Sequence, residues 1–307
     1  MKIIDPSYEI LNQGAGLDGA LKMIEQVGRT CYQSEDRIGE TTYKDFVARM
    51  IRSGHGAMLE FGTLYLKMPT EKIDFYVGNP YSHVVLGQSH SWVTTNYRVI
   101  VENMLEKDLA YLCEGPEDEH EKRTTVRFEV SRGVSHELVR HRLASFAQAS
   151  QRYISYCKQR FGGEIKFIIP TKFYRLRDEL AQTVDPLTYE SREYLKDMTG
   201  KDMVMELNCL DRGASAWYDA NERVEADYRY LTLEEEWAAE DARDVLNNAV
   251  STVINVCMFD VDWIHFFNLR SLGLTGKPHP DMKWICDQVL EEFIETGRLK
   301  RDGELYL

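Results

Sequence analysis

Strand-like and helix-like hydrophobic patterns follow one another along this chain in no regular order, and this limits the fold classes open to it. The stretch 124–131 alternates Val126, Phe128 and Val130 with more polar residues, which is typical of a half-buried strand. The β-branched run 250–259 indicates a second extended segment. Because strands and helices do not alternate one by one, a doubly wound parallel sheet is not indicated. The predicted class is α+β, with mixed helices and a mainly antiparallel sheet.

Apolar residues recur at helical spacing in eight further stretches. The predicted helices cover 17–32, 43–53, 136–146, 185–198, 214–231, 234–246, 262–270 and a last stretch that ends at Gly297. Their starts are assigned to capping residues: Ser135 before the third, a capping box of Thr232 with Glu235 before the sixth, and Asp260 before the seventh. Residues 70–122 resist assignment, and their acidic end, 114–122, is predicted to be an exposed loop.

Length and composition fit a soluble globular protein. The chain has 307 residues, of which 43% are hydrophobic and 28% charged, so disorder and fibrous structure are excluded. No stretch approaches the roughly 20 apolar residues of a membrane helix, and the first residues do not resemble a secretory signal. The six cysteines form no C-x-x-C pair, which predicts reduced thiols, no metal site and a cytoplasmic protein.

The basic residues are concentrated in one part of an acidic chain. The net charge is −13, yet residues 122–160 carry nine Lys or Arg against two Glu, a local charge of +7 that leaves −20 for the rest. A concentrated positive field in an acidic protein favours a small anion over a nucleic acid. A nucleic-acid-binding module that uses this segment remains the alternative from another functional class.

Within the basic segment, side chains suited to nucleotide recognition lie close together. On a helical wheel for 136–146, Arg142 falls inside the apolar arc, so it either reaches solvent, pairs with a carboxylate or meets an anion. Gln148, Ser150 and Arg152 follow within one short stretch. Arginine binds phosphate oxygens in a bidentate manner, and amides and hydroxyls match the edge of a pyrimidine.

These residues form a motif of arginine, histidine, arginine, seven residues and serine, which is Arg140, His141, Arg142 and Ser150 here. The motif resembles the signature of the flavin-dependent thymidylate synthases. Similar elements of that family occur elsewhere in the same order: R-x-C-Y from Arg29 to Tyr32, G-H-x-x-x-x-E from Gly54 to Glu60, A-R-x-x-L at Arg243, and HFFNLR ending at Arg270. The resemblance implies a single domain over 1–307 with an insertion at about 70–122.

The resemblance also implies the reaction and the assembly. The enzyme would methylate dUMP to dTMP with 5,10-methylenetetrahydrofolate as carbon donor, while NADPH supplies electrons through FAD. Its sites would lie between the subunits of a homotetramer. A flavoprotein reductase that has lost methyl transfer is a second alternative. The sequence has no glycine fingerprint after a strand, which is consistent with a flavin site of another design.

Site residues follow from the resemblance by position. Those implied to contact the cofactor are His55, Arg140, His141, Arg142, Gln148 and His265. Those implied to contact the substrate are Glu137, Arg140, Gln148, Ser150, Gln151, Arg152, Arg243 and Arg270. Of these, Arg270 and Ser150 would be catalytic, and Ser150 is expected to position the base rather than attack it, because no general base lies nearby in the sequence.

Three site residues have a structural explanation as well. Arg270 could be an arginine in the last turn of a helix, His55 a surface turn residue, and His265 a core histidine.

The chain also departs from the family pattern, since Gln148 stands where many members have Glu, and Glu137 where many have Gln. Residues 259–263 replace an N-A-R element that compact members use for the flavin, which leaves the adenosine side of the site unassigned.

Overall fold

Four antiparallel strands form the main sheet in the computed structural model, which describes residues 1–158, 163–183 and 194–299. Their spatial order is β2-β6-β9-β7. The ranges are β2 Ser7–Leu11, β6 Arg123–Ser131, β7 Ser145–Gln148 and β9 Ser251–Phe259. Val126 of β6 pairs with Val256 of β9, and Phe146 of β7 pairs with Val256 on the other side. The predicted extended segments and the mainly antiparallel sheet are confirmed.

One face of this sheet carries the largest core. Val126, Phe128 and Val130 of β6 are fully buried there, as the alternating pattern predicted. Two helices cover the face, α11 (Asp260–Arg270) and α12 (Pro280–Glu295). Their buried aromatic residues are Trp263, Phe266, Phe267 and Phe293. The indole nitrogen of Trp263 donates to the Thr124 carbonyl at 3.2 Å, so this core fixes α11 against the start of β6.

On the opposite face, α1 (Gly16–Thr30) packs against β7 and β9, and α2 (Thr42–Arg52) packs on α1; both helices lie close to the predicted bounds. Gly28 allows them to approach closely, because a Cβ atom at that position would lie 2.6 Å from Cζ of Phe46. After α2, Gly54 adopts a positive φ of 69°, and the short helix α3 (Gly56–Leu59) follows.

Residues 70–122 form most of a second, smaller sheet. Its order is β3-β5-β4, from β3 (Thr63–Pro69), β4 (His83–Val85) and β5 (His90–Asn96). Four short helical elements accompany it: α4 (Asp74–Val77), α5 (Tyr97–Glu102) and two 3-10 turns, Thr70–Lys72 and Glu106–Tyr111. The predicted exposed loop at 114–122 is wrong in part, because His120 is buried and its ring nitrogen lies 3.1 Å from the Leu66 carbonyl oxygen.

The remaining elements form a largely helical unit beside a two-stranded parallel pair. The strands are β1 (Lys2–Ile4) and β8 (Lys166–Ile168). The helices are α7 (Thr171–Thr183), α8 (Gly200–Leu210), α9 (Arg212–Arg229) and α10 (Ala239–Ala242). The prediction for 185–198 falls mostly outside the described residues. None of the described helices combines the length and apolar character needed to cross a bilayer.

The capping predictions at Thr232 and Asp260 are wrong. Thr232 lies inside a π-helical turn, Tyr230–Glu234, and its hydroxyl donates to the Tyr228 carbonyl at 2.8 Å, so it does not open a helix. Asp260 is the first residue of α11 rather than its cap, and its carboxylate accepts a 2.6 Å hydrogen bond from the Thr124 hydroxyl. The Thr232 hydroxyl thus bonds to the preceding turn, and the Asp260 carboxylate bonds to strand β6.

Candidate active site

The helix predicted over 136–146 is wrong, and its true path shapes the site. Helix α6 covers Arg132–Leu138, because the Ser131 hydroxyl, not Ser135, caps it by accepting from the Val134 amide at 3.2 Å. The chain then turns through 139–144 and becomes strand β7. The helical-wheel argument therefore fails: Arg142 is exposed, whereas His141 is 5% exposed.

Glu137, near the end of α6, contacts Arg270 at the end of α11. Nη1 of Arg270 donates to the Glu137 carboxylate at 3.0 Å, and Nη2 donates to the Glu137 backbone carbonyl at 2.9 Å. The carboxylate also lies 3.4 Å from the more exposed guanidinium of Arg140. Nε of Arg270 is buried and has no hydrogen-bond partner in the described part of the chain. The structure thus joins three predicted substrate residues.

His141 lies next to this cluster. Its ring is 5.4 Å from the ring of His265, centroid to centroid, and 5.5 Å from that of Phe266, which it meets edge-on. Burial lowers the pKa of His141 to about 4, helped by repulsion from His265 and Arg270. The imidazole is therefore neutral near pH 7. Its Nε2 atom is buried and lacks a partner among the described residues.

Gln148, at the end of β7, belongs to a neighbouring polar network. Its side-chain amide donates to the hydroxyls of Ser135 at 2.8 Å and Thr252 at 3.2 Å. Arg132, the first residue of α6, donates to the same Thr252 hydroxyl and to the Ala149 carbonyl, both at 3.4 Å. Sequence reasoning missed Arg132; the signal was a basic residue directly after strand β6, within the basic segment.

His55 and Ser150 line one cleft of about 520 Å³, together with Cys31, Tyr32 and Tyr153. Gly54 positions His55 in an exposed turn, and the Ser150 amide donates to the Cys31 carbonyl at 3.0 Å. The hydroxyl of Ser150 accepts from the Arg152 amide at 3.2 Å. An adjoining cleft of about 600 Å³ shares His55 and both tyrosines.

Three other predicted substrate residues are Arg152, Arg243 and Gln151. Arg152 is exposed and donates to the Glu240 carboxylate of α10 at 2.6 Å. Arg243 directly follows α10 and is exposed as well. The side-chain nitrogen of Gln151 is buried without a partner in the described chain.

Within a single chain, the predicted residues thus form neighbouring groups rather than one closed cleft. One group consists of Glu137, Arg140, His141, His265 and Arg270. Gln148 belongs to a polar network, and His55 shares a cleft with Ser150. Arg142 and Arg152 remain at the surface.

Comparisons with known proteins agree with the motif. Residues 119–296 match the model of a family described as thymidylate synthase complementing protein. The flavin-dependent thymidylate synthase of Pyrococcus furiosus is 26% identical over 239 residues, 77% of this chain and 79% of its own. That of Geobacter sulfurreducens is 32% identical over 141 residues, 46% of this chain and 44% of its own.

Two further similarities involve longer alignments. The flavin-dependent thymidylate synthase of Mycolicibacterium vanbaalenii is 24% identical over 259 residues, 83% of this chain and 68% of its own. Among solved structures, a UMP/dUMP methylase, PolB from Streptomyces cacaoi bound with 5-Br dUMP, is 15% identical. It aligns with 96% of this chain and 93% of its own at a TM-score of 0.42.

Proposed function

This chain belongs to the flavin-dependent thymidylate synthases, the family whose model matches more than half of it, and from this premise we propose its reaction. The enzyme methylates dUMP to dTMP, with 5,10-methylenetetrahydrofolate as carbon donor and NADPH as reductant through FAD. It works as a cytoplasmic homotetramer. The residues 119–296 that match the family model contain the arginine-histidine-arginine motif, α11 and α12.

The observation that carries the proposal is the meeting of the motif with α11. Arg140 and His141 come from the turn after α6, and His265 and Arg270 come from a helix more than a hundred residues later in the chain. Non-local convergence of two histidines and two arginines, all implied by the resemblance, supports a site rather than separate structural roles.

Unpartnered buried atoms support the fit to a flavin and a pyrimidine. Among the described residues, Nε2 of His141, Nε of Arg270 and the side-chain nitrogen of Gln151 are buried without a hydrogen-bond partner. An unsatisfied buried polar group costs about 1–3 kcal/mol, so such atoms commonly indicate a missing water or ligand. A flavin ring edge and a uracil both present carbonyl and ring nitrogen atoms that would satisfy them.

Six residues would hold FAD in this proposal. These are His55, Arg140, His141, Arg142, Gln148 and His265. When bound, FAD supplies the redox chemistry, because it accepts electrons from NADPH and passes them to the transferred carbon. The neutral imidazole of His141 can either donate or accept a hydrogen bond, according to which nitrogen carries the proton. The cationic arginines favour negative charge on the bound ring system.

The nucleotide would be held by a second group of residues. Arg152 and Arg243 bind its phosphate, while Glu137, Gln148, Ser150 and Gln151 surround the base. Arg270 faces the uracil carbonyl and favours negative charge on the ring, which activates C5. Ser150 positions the base, and the backbone amide of Arg152 already holds its hydroxyl. A serine nucleophile would instead need an adjacent base to activate it.

Exposure of several site residues supports assembly of the site between subunits. Arg142, Arg152 and His55 all lie at the surface of the single chain. A second copy could cover them and exclude water from the ligands.

The basic segment fits a small ligand better than a nucleic acid, because Arg127, Arg140 and Arg152 each pair with a glutamate.

Conversion of labelled dUMP tests the proposal. Protein loaded with FAD and supplied with NADPH and methylenetetrahydrofolate should form dTMP, and omission of any one component should stop product formation. Oxidation of NADPH without labelled dTMP would identify a reductase that lacks methyl transfer. Failure of both reactions, with binding to oligonucleotides that weakens steeply with salt, would favour the nucleic-acid-binding module.

A further inference from the structure

Arg132 is a partly buried cation with weak partners. It opens α6 immediately after β6, and Nη1 donates to the Thr252 hydroxyl and the Ala149 carbonyl, both at 3.4 Å. These distances are longer than the 2.7–3.2 Å typical of such bonds. Both acceptors are uncharged, and no carboxylate forms an ion pair with Arg132 in the part of the chain that the structure describes. Its charge is therefore poorly compensated.

A second arginine increases the imbalance. Burial lowers the pKa of Arg132, and the positive charge of Arg243 lowers it further. Arg243 forms no ion pair within the described ranges either. Arg243 is exposed, but Arg132 is partly buried, and a partly buried guanidinium beside a second cation is unfavourable unless an anion joins them, because burying an uncompensated charge is costly.

A third arginine, Arg152, contacts helix α10, which directly precedes Arg243. Arg152 donates to Glu240 at 2.6 Å, and Glu240 lies one helical turn before Arg243. This contact ties the segment that carries Ser150 and Arg152 to α10. Arg132 holds the other end of that segment through the Ala149 carbonyl. Arg132 thus bonds to one end of the segment 149–152, and Arg152 at its other end bonds to the helix that directly precedes Arg243.

We propose that Arg132 binds the phosphate of the nucleotide together with Arg152 and Arg243. This inference rests on the proposed function and adds a residue to its substrate site. A phosphate monoester has three acceptor oxygens and about two negative charges near neutral pH, so it would neutralise the cluster and fill its open donors. Because Arg132 also contacts Ala149, phosphate binding would fix the backbone beside Ser150.

Binding of dUMP and of deoxyuridine, which lacks the phosphate, tests this role. Isothermal titration of the FAD-loaded protein would be done with the wild type, Arg132→Gln and Arg127→Gln. Arg127 is the matched control, since it lies on the preceding strand β6 but pairs with Glu35 at 3.3 Å. Both substitutions change the net charge equally, so long-range electrostatics cancel in the comparison.

Arg132→Gln should weaken dUMP binding roughly ten- to a hundredfold, the range for losing a hydrogen bond to a charged group, and leave deoxyuridine binding unchanged. Arg127→Gln should change neither. Equal weakening of both ligands would show a structural role and overturn the proposal, as would unchanged dUMP binding.

Arg132→Lys covers the case in which the glutamine variant does not fold. It keeps the charge but loses the guanidinium fork, so it should weaken dUMP binding severalfold and spare deoxyuridine. Wild-type affinity for dUMP in this variant would overturn the proposal. If the wild type itself bound no dUMP, the proposed function would fail and the assignment of Arg132 with it, whereas normal wild-type binding with an unaffected variant rejects Arg132 alone.

Discussion

Glu137 accepts two hydrogen bonds from Arg270, one through its carboxylate at 3.0 Å and one through its backbone carbonyl at 2.9 Å, although 133 residues separate them in the chain. The contact joins the end of α6 to the end of α11. It fixes the guanidinium that would stabilise negative charge on the pyrimidine, so the last turns of two helices determine its position.

Arg270→Ala should abolish dTMP formation while leaving bound FAD largely intact. Loss of one donor to a developing negative charge costs roughly 3–4 kcal/mol, about a hundred- to a thousandfold in kcat. Labelled-dUMP turnover measures the first effect and flavin absorbance per chain the second. Equal loss of FAD and activity would show that Arg270 has a structural role.

Removal of the Glu137 carboxylate should destabilise the fold. Glu137→Ala breaks a partly buried ion pair, whose side chains are 18% and 27% exposed, so we expect a loss of about 1–2 kcal/mol in unfolding free energy. Glu240→Ala is the control, because its pair with Arg152 is more exposed and should contribute less than about 1 kcal/mol. Denaturant titration compares them, and equal losses would contradict this account.

The neutral state of His141 predicts a pH dependence of stability. Its pKa falls to about 4 in the folded chain, below the usual value of 6.5, so the unfolded chain takes up the proton first as pH decreases. Stability from this residue is present above pH 6.5 and is lost progressively toward pH 4. Between pH 7.5 and 4, the wild type should lose about 3 kcal/mol more than His141→Gln. Parallel pH curves for the two proteins would reject a lowered pKa.

Ser150→Ala should retain measurable turnover, because the serine is expected to position the base rather than attack it. Its hydroxyl accepts a hydrogen bond from the Arg152 amide. Among the described residues, no basic side chain forms a hydrogen bond with this hydroxyl that could activate it. Steady-state kinetics should show a higher KM for dUMP with residual kcat. Complete inactivity with normal dUMP binding would instead indicate a nucleophile.

Gly28→Ala should destabilise the protein by about 1–3 kcal/mol, because the new methyl group would lie 2.6 Å from Phe46 and force α1 and α2 apart. Gly78 offers a control, since its φ is −91° and a methyl group added there would have no atom within 4 Å. Thermal unfolding of the two variants compares them. A Gly28→Ala protein as stable as Gly78→Ala would show that the helices can adjust.

The sequence predicted the elements that have a clear hydrophobic period. Strand β6 alternates, and the helices α1, α2 and α9 follow amphipathic runs, so local pattern sufficed. In the small sheet, the alternation of Leu64 and Leu66 indicates β3, but β4 and β5 escaped prediction. Strand β4 has only three residues, and β5 buries Thr94, Thr95 and Asn96, polar residues that its neighbours satisfy.

The path of the motif depended on contacts that local pattern does not contain. The apolar spacing over 136–146 predicts a helix, but residues 145–148 pair with β9, more than a hundred residues later. This pairing turned the chain after Leu138, exposed Arg142 and buried His141. The resemblance supplied the site residues nonetheless, whereas Arg132 was missed because its acceptors, Ala149 and Thr252, are remote in sequence.

Titration of the FAD-loaded protein with dUMP, followed by visible absorbance, shows whether flavin and nucleotide occupy neighbouring sites. If the motif and α11 hold flavin and nucleotide together, the flavin spectrum should shift and saturate with dUMP, and NADPH should then bleach it. A protein that cannot be loaded with FAD, or a flavin spectrum that dUMP leaves unchanged, would contradict the account.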